Sequence, residues 1–378
     1  RARLAEALVS DIYGPQRLIA ENFLPPHLVL GHPQFLRPLL GVTPPGGVHI
    51  HLYAADIGRT PSGEWVVLSE RADAPAGAGY ALENRIVVSQ SFSDLFRDSG
   101  VRRLAAFYQA CREGVLGLSR TERPRAVLLT PGPYNEAYFE HSYLARYLGL
   151  TLVEGEDLLV RDGLVFLKTL AGLERIDVIF RRVDSDFVDP LEFRSDSALG
   201  VPGLAEAARA GQVVIANALG SNVVELLTRR GVTMTAQAFQ PLATAPVLEE
   251  GRLLPRPVSL RVFAAWTPSG YVVMPGGLTR VARERDIHAL SMQSGVASKD
   301  TWVLADGPVD SFSLLAARGG PLTIRRLGVE APSRAMDNLY WLGRYAERAE
   351  DMVRMLRAVL RRLSDSNTLD EAAMAAAL

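Results

Sequence analysis

Residues 127–160 read VLLTPGPYNEAYFEHSYLARYLGLTLVEGEDLLV, and residues 181–204 read RRVDSDFVDPLEFRSDSALGVPGL. The first stretch opens on a short apolar run at 127–129, the size of a buried strand. Thr130-Pro131-Gly132-Pro133 supplies turn chemistry. Residues 136–148 carry Tyr138, His141, Leu144, Ala145 and Leu148 at helical spacing. Gly149 offers the left-handed residue that ends such a helix. Residues 150–153 form the next apolar run, and a strand–helix–strand step implies a parallel pair. The second stretch follows another apolar run, 176–180, with arginines and acids. Open α/β sheets bind ligands beyond the carboxyl ends of their strands, where these polar groups fall.

Working outward, residues 1–20 read as helix, with Leu4, Leu8 and Ile12 four apart and Gly14-Pro15 interrupting. Residues 48–54 and 65–68 are expected to pair as strands across Pro61-Ser62-Gly63. Residues 71–80 read as loop, 86–88 as a short strand and 101–118 as helix. Residues 158–169 read as a hairpin around Asp162-Gly163, which suits a type I′ turn. Residues 213–216 form one more strand. Beyond 226 the pattern turns β-rich: a hairpin of 257–266 with 270–274, a turn at 275–280 and a strand at 302–304. Gly-rich 318–320 and the following residues read as a linker. Residues 333–363 form a long amphipathic helix with Ser333 as N-cap, and the tail 364–378 is expected to fray.

Of 378 residues, 48% are hydrophobic and 22% charged, so the chain can bury a core. The length suits roughly two to three domains. A net charge of −1 gives no general pull toward nucleic acid. Cys111 is the lone cysteine, so no internal disulfide forms, which fits a reducing, cytoplasmic setting. No apolar run reaches the ~18 residues of a membrane span. Arg1 in place of methionine reads as a fragment or trimmed product.

Five constellations carry chemistry. Arg181-Arg182 with Asp184, Asp186 and Asp189 offer guanidiniums for phosphate or carboxylate and acids for Mg2+. Tyr134 and Asn135, with Glu140 and His141, flank a strand-to-helix turn, where anions bind. Glu154, Glu156 and Asp157 crowd one strand end. Asp56, Glu70 and Asp73 edge a hairpin. Gly276, Gly277, Thr279 and Arg280, with Lys299, suit a phosphate cradle. Each set also reads as ordinary turn and salt-bridge chemistry, and His141 as a satisfied core histidine. The P-loop spacing, the dinucleotide fingerprint, a Cys/His zinc cluster and a nucleophile elbow are all absent.

LLTPGPYNEAYFEHSYLARYLGLTLVEGEDLLV (128–160), IDVIFRRVDSDFVDPLEF (176–193), LGVPGL (199–204), MPGGLTRVA (274–282) and SKDTWVL (298–304) together resemble the circularly permuted ATP-grasp family, related to glutathionylspermidine synthetase. The resemblance covers nearly all of 10–315. PSRAMDNLYWLGRYAERAEDMVRMLR (332–357) resembles the opening of the alpha-E helical domain. The implied fold is α/β, permuted ATP-grasp-like, with a Rossmann-like parallel-sheet unit, a β-rich second part and a C-terminal helix. Its expected divisions are 1–120 and 226–317 for the ATP-grasp core, 121–225 for the Rossmann-like substrate-side unit, 318–331 for a linker and 332–378 for the start of the alpha-E domain.

The implied activity is ATP- and Mg2+-dependent activation of a carboxylate as an acyl phosphate, then capture by an amine, on a peptide or peptide-like substrate. Carried over by motif, Asp56 matches the first metal-binding acid. The family's next two ligands, Glu and Asn, fall here on Ser69 and Arg71, which leaves Glu70 as a substitute. Arg280 matches the arginine near the terminal phosphate and Lys299 the lysine of S-K-D-T-W-V. Both are expected to act in catalysis and, with Gly276, Gly277 and Thr279, to bind the nucleotide. Tyr134, Asn135, Glu154, Asp157, Arg181, Arg182, Asp184 and Asp186 are expected on the substrate side. The chain departs from the family after Glu225, where a nucleotide-clamping segment is missing, and before Lys299, where Gly295-Val296-Ala297 replaces a glycine run. Three readings follow: a carboxylate–amine ligase, a degenerate ATP-grasp serving as a binding or assembly module, and a sugar-nucleotide binder using Asp184-Ser-Asp186. The helix 333–363 is expected to meet a helical partner or a second copy.

Overall fold

In the computed structural model the described residues are 1–227, 241–282, 297–309, 312, 314 and 332–364. The expected linker at 318–331, the fraying tail beyond 364 and the glycine-run departure at 295–296 lie outside them. The chain divides into two compact units, Arg1–Leu167 with Glu174–Leu322, and Lys168–Leu173 with Thr323–Leu378.

The helices are α1 (Ala2–Tyr13), α2 (Arg17–Ala20), α3 (Pro26–Leu30), α4 (Ala78–Ser91), α5 (Ser93–Asp98), α6 (Ala105–Leu116), α7 (Tyr138–Leu148), α8 (Leu204–Arg209), α9 (Val223–Leu227) and α10 (Ser333–Ser364). The strands are β1 (Leu52–Arg59), β2 (Trp65–Arg71), β3 (Ala126–Leu129), β4 (Thr151–Val153), β5 (Leu158–Arg161), β6 (Leu164–Thr169), β7 (Gly172–Ile176), β8 (Val178–Arg181), β9 (Val214–Ala216), β10 (Thr244–Glu249), β11 (Arg252–Thr267), β12 (Gly270–Val273), β13 (Leu278–Val281) and β14 (Ala297–Asp300).

The parallel sheet runs β4-β3-β8-β9. Its strands are short apolar runs because both faces are covered, and Val127, Leu128, Leu129, Val178 and Ile179 are fully buried. Gly149 ends α7 at φ 66, as its position requires. The hairpin turn at Asp162 and Gly163 has both φ values positive, the type I′ geometry.

The antiparallel sheet runs β14-β13-β11-β1-β2, with β10 and β12 also paired to β11. Its pleat sorts side chains into two cores. Leu52, Ala54, Phe263 and Ala265 join Ala78, Leu82, Phe107 and Tyr108 of α4 and α6. Tyr53, Ala55 and Ala264 join Ala5, Val9 and Ile12 of α1. Gly114 lets α6 approach β11, since a Cβ there would lie 2.3 Å from the Trp266 carbonyl oxygen.

Several expectations shift. β1 begins at Leu52, not 48, because the amides of His49 and Ile50 donate to the Glu6 carboxylate instead of a neighbouring strand. Residues 86–88 are helical, since Ala78, Ala81, Leu82 and Arg85 bury one face of α4. The strand near the C-terminal motif is Ala297–Asp300, not 302–304. Beyond it the Thr301 carbonyl accepts from Arg85 and the Trp302 indole donates to Asp300. In α1 the inward face carries Ala2, Ala5, Val9, Ile12 and Tyr13, while Leu4 is exposed. On α10 the apolar stripe is present but exposed, with Leu339, Leu342 and Leu356 each more than half accessible.

The four-stranded parallel sheet and the seven-stranded antiparallel sheet are joined by buried polar groups. Arg181, at the end of β8, has no exposed side-chain surface. Its guanidinium donates to Asp73 Oδ1 at 2.7 Å, to the Val183 carbonyl at 2.7 Å and to the Asn217 carbonyl. Asp73 also accepts from the Ser185 amide and hydroxyl. Burial alone would raise its pKa, but Arg181 and these bonds hold it below the ordinary value. Asn217, after β9, accepts from the His51 and Leu52 amides and donates to the Leu52 and Ala72 carbonyls.

Two predictions follow from these contacts. Asp73→Ala leaves a buried guanidinium without its counter-ion and is expected to cost about 3–5 kcal/mol in urea unfolding. A loss within 0.5 kcal/mol of zero would show that the pair does not hold the sheets together. His141 bonds Thr130 and is buried, and burial pulls its pKa to about 3 from 6.5. The unfolded chain therefore binds the extra proton between those values, and stability falls as pH drops from 6.5 toward 3. The stability difference between wild type and His141→Asn is expected to change by about 1.4 kcal/mol per pH unit across that window. A pH-independent difference would exclude a neutral buried imidazole.

Candidate functional site

The antiparallel sheet presents charged side chains on the face that packs under α4. Asp56 lies directly across from Arg261 and from Ser69. Its carboxylate accepts from Arg261 Nε at 2.8 Å and Nη2 at 2.9 Å and from the Ser69 hydroxyl at 2.8 Å, and lies 2.7 Å from Arg280. Burial pushes the Asp56 pKa up, but the bonds to Arg261 and the charges of Arg261 and Arg280 prevail and hold it at about 2. Arg71 shares this face by register and lies 3.4 Å from Glu225. Glu140, fully buried on α7, accepts from the Gly77 and Gly79 amides and so caps α4. This sheet face thus gathers Arg71, Arg261 and Arg280, with Asp56 between the last two and Glu225 beside the first.

The register does not unite the expected metal and phosphate residues. Glu70 follows Ser69 on β2 and points to the other face, where it accepts from the Tyr53 hydroxyl at 2.5 Å. Asp56 and Glu70 therefore cannot share an ion. Lys299 pairs with Thr279, one residue out of phase with Arg280, so the pleat sends it to the opposite face as well. Its amine donates to the Pro246 carbonyl, and Thr279 bonds Thr301. Gly276 and Gly277 are buried and form no cradle: added Cβ atoms would meet Arg85 at 2.9 Å and the Arg261 carbonyl oxygen at 2.6 Å. Among the described residues no group of three His, Cys, Asp or Glu side chains is placed to hold a metal. This donor set does not fit Mg2+, whereas the guanidiniums suit phosphate oxygens.

On the expected substrate side, Tyr134 is fully exposed and Asp184 stands beyond β8. Desolvation and the charge of Asp73 raise the Asp184 pKa. Asp186 lies 3.9 Å from Arg194, and Arg182 donates to the Pro75 carbonyl. Five expected ligand groups, Arg181, Asn135, Glu154, Asp157 and Asp189, instead serve the fold. Arg181 is committed to protein acceptors. Asn135 accepts from the Ala137 amide. Asp157, buried, closes a reciprocal cap with Glu154. Asp189 accepts from the Leu191 and Ala205 amides. A mainly apolar cavity is walled by Leu52, Phe107, Leu144 and Phe180, with Cys111 on its lining. Burial raises that thiol to about 11, which leaves it unreactive near neutral pH.

Arg261 lies outside the residues that the sequence patterns single out, and Asp73, placed with the hairpin-edge acids, serves the buried junction with Arg181 instead. A charge inside the apolar run SLRVFAAW was the available signal for Arg261. In the S-K-D-T-W motif the buried charge is Asp300, bonded to Arg85 at 2.7 Å.

Comparison with known proteins adds the family. The model for circularly permuted ATP-grasp type 2 matches residues 1–229 and 225–282. Residues 331–378 match Alpha-E, described as "a predicted alpha-helical domain with a conserved ER motif". An uncharacterized protein of Mycobacterium tuberculosis is 34% identical over 382 residues, covering 81% of this chain and 69% of its own length. A second from that organism is 32% identical, covering 94% of this chain but 49% of itself, so the chain spans about half of it. An uncharacterized protein of Synechocystis is 33% identical, covering 80% and 79%. The first alignment has 382 positions yet covers only 81% of 378 residues, so that relative carries internal residues missing here. The family match breaks at 225–229, the point of departure after Glu225. Members of the family generally bind ATP and Mg2+, with carboxylate and amine substrates. Among the described residues, no helix is long and apolar enough to cross a membrane. The chain belongs to the circularly permuted ATP-grasp type 2 family, with an Alpha-E segment at its C-terminal end.

Proposed function

We propose that this chain is an ATP-dependent carboxylate–amine ligase acting on a peptide or peptide-like substrate. The supporting observation is the convergence of Arg71, Arg261 and Arg280 on one sheet face beside Asp56. A substrate carboxylate oxygen attacks the terminal phosphorus of ATP, and the bond to ADP breaks. The amine nitrogen then attacks the acyl carbon, phosphate leaves with the bonding pair, and the amine proton passes to solvent. Fixed guanidiniums lower the barrier by neutralising charge that grows on the transferring phosphoryl oxygens. Arg280 is the phosphate residue in this reading. Tyr134, Arg182, Asp184 and Asp186 contribute to the substrate side.

A second reading, a binding or assembly module, is favoured by the break in the family match and by the poor fit to Mg2+. In it, the exposed stripe of α10 meets a helical partner or a second copy.

Calorimetric titration with ATP and Mg2+ separates the two. The ligase reading expects saturable binding, weakened roughly tenfold, about 1.4 kcal/mol, by Arg280→Ala. It also expects ADP release when peptide carboxylates and hydroxylamine are added, with hydroxamate as the trapped product. No binding heat at millimolar ATP, with a normal melting curve, removes the ligase reading and leaves the module.

A further inference from the structure

Glu225 is held in an unusual way for a surface-accessible acid. Its Oε1 accepts from two successive amides, Ala72 at 2.8 Å and Asp73 at 3.1 Å, and its Oε2 lies 3.4 Å from Arg71 Nη1. β2 ends at Arg71, so both amides have left the strand ladder. Every group in this set is a donor, and a guanidinium flanks it. Consecutive amides with a guanidinium select an oxyanion, not a particular side chain. Arg71 shares its sheet face with Ser69 and Asp56, the face that also carries Arg261 and Arg280.

The Glu225 side chain keeps 18% of its surface accessible and Arg71 keeps 34%. Asp73, one residue on, is closed to solvent and spent on Arg181 and Ser185. The Glu225 contact is thus open to exchange by side-chain rotation, and the Asp73 contact is not. We propose that the Ala72 and Asp73 amides, with Arg71, form an oxyanion subsite that the Glu225 carboxylate fills in the resting chain. The ligand is a phosphate or carboxylate that displaces Glu225, which makes the contact autoinhibitory. A tethered carboxylate competes at high effective concentration, so free anions bind weakly until it is removed.

The inference rests on the ligase reading only for the source of the anion. Affinity for free anions needs neither nucleotide nor turnover, so failure of that reading leaves it standing. The test titrates inorganic phosphate, and separately acetate, into the wild-type chain, Glu225→Ala, Glu225→Gln and Arg71→Ala/Glu225→Ala, with melting curves for each. Glu225→Ala is expected to bind phosphate at least roughly tenfold more tightly than wild type. The gain is expected to vanish when Arg71→Ala is added. Glu225→Gln retains an acceptor for both amides, so it carries the test if Glu225→Ala does not fold. A larger gain for phosphate assigns the subsite to a nucleotide phosphate, and a comparable gain for acetate assigns it to the substrate carboxylate. Equal affinity in wild type and the folded Glu225 variants, or a gain that survives Arg71→Ala, overturns the proposal.

Discussion

A guanidinium with no exposed side-chain surface has to find all its acceptors inside the protein, and Arg181 meets that demand at one junction. Its acceptors come from the end of β8, from the loop after β2 and from the turn after β9. Satisfying this one group brings together three segments remote in sequence. Asn217 adds the backbone of β1 to the same junction. An unpaired charge there would be costly, so the parallel and antiparallel sheets have little freedom to slide past each other.

The setting of the charged sheet face follows from that junction. Residues 72–77 leave β2, pass Arg181 and enter α4, whose first turn is capped by Glu140 from the parallel-sheet layer. The segment thereby turns its amides toward Glu225 and its carboxylate toward the interior. On the adjoining sheet, Asp56 holds Arg261 and Arg280 side by side despite their like charge. Without that carboxylate, burial and mutual repulsion would work against both cations. Asp56 therefore organises guanidiniums more plainly than it offers itself to a metal.

Much of the fold was legible in the chain. The β3–α7–β4 step, the Asp162-Gly163 turn and the long terminal helix follow from local spacing and from residues with strong backbone preferences. The family motifs were legible too. The site was only partly so. Arg280 and Asp56 are legible from the motifs and do meet. Arg71, on the same face, is legible too, but Arg261, which binds Asp56, is not. Lys299 and Glu70 were grouped with them and fall on the opposite face. Of the acids and arginines at and beyond the end of β8, Arg181 and Asp189 build the scaffold, and Asp184 stays exposed.

The sequence by itself determined elements whose cause is local: the buried parallel strands, the glycine that stops α7, the turn of the β5–β6 hairpin and the apolar period of α10. Only the tertiary structure decided which charges meet. Alternation along a strand tells neighbours apart, but it assigns no common face to residues on different strands. That assignment needs the register, which is set by pairing β1 with β11 and β11 with β13, segments up to about 200 residues apart. Burial of a polar side chain is likewise a property of what packs around it. Arg181 and Arg182 are adjacent in the chain, yet Arg181 is sealed inside the junction and Arg182 is only partly covered.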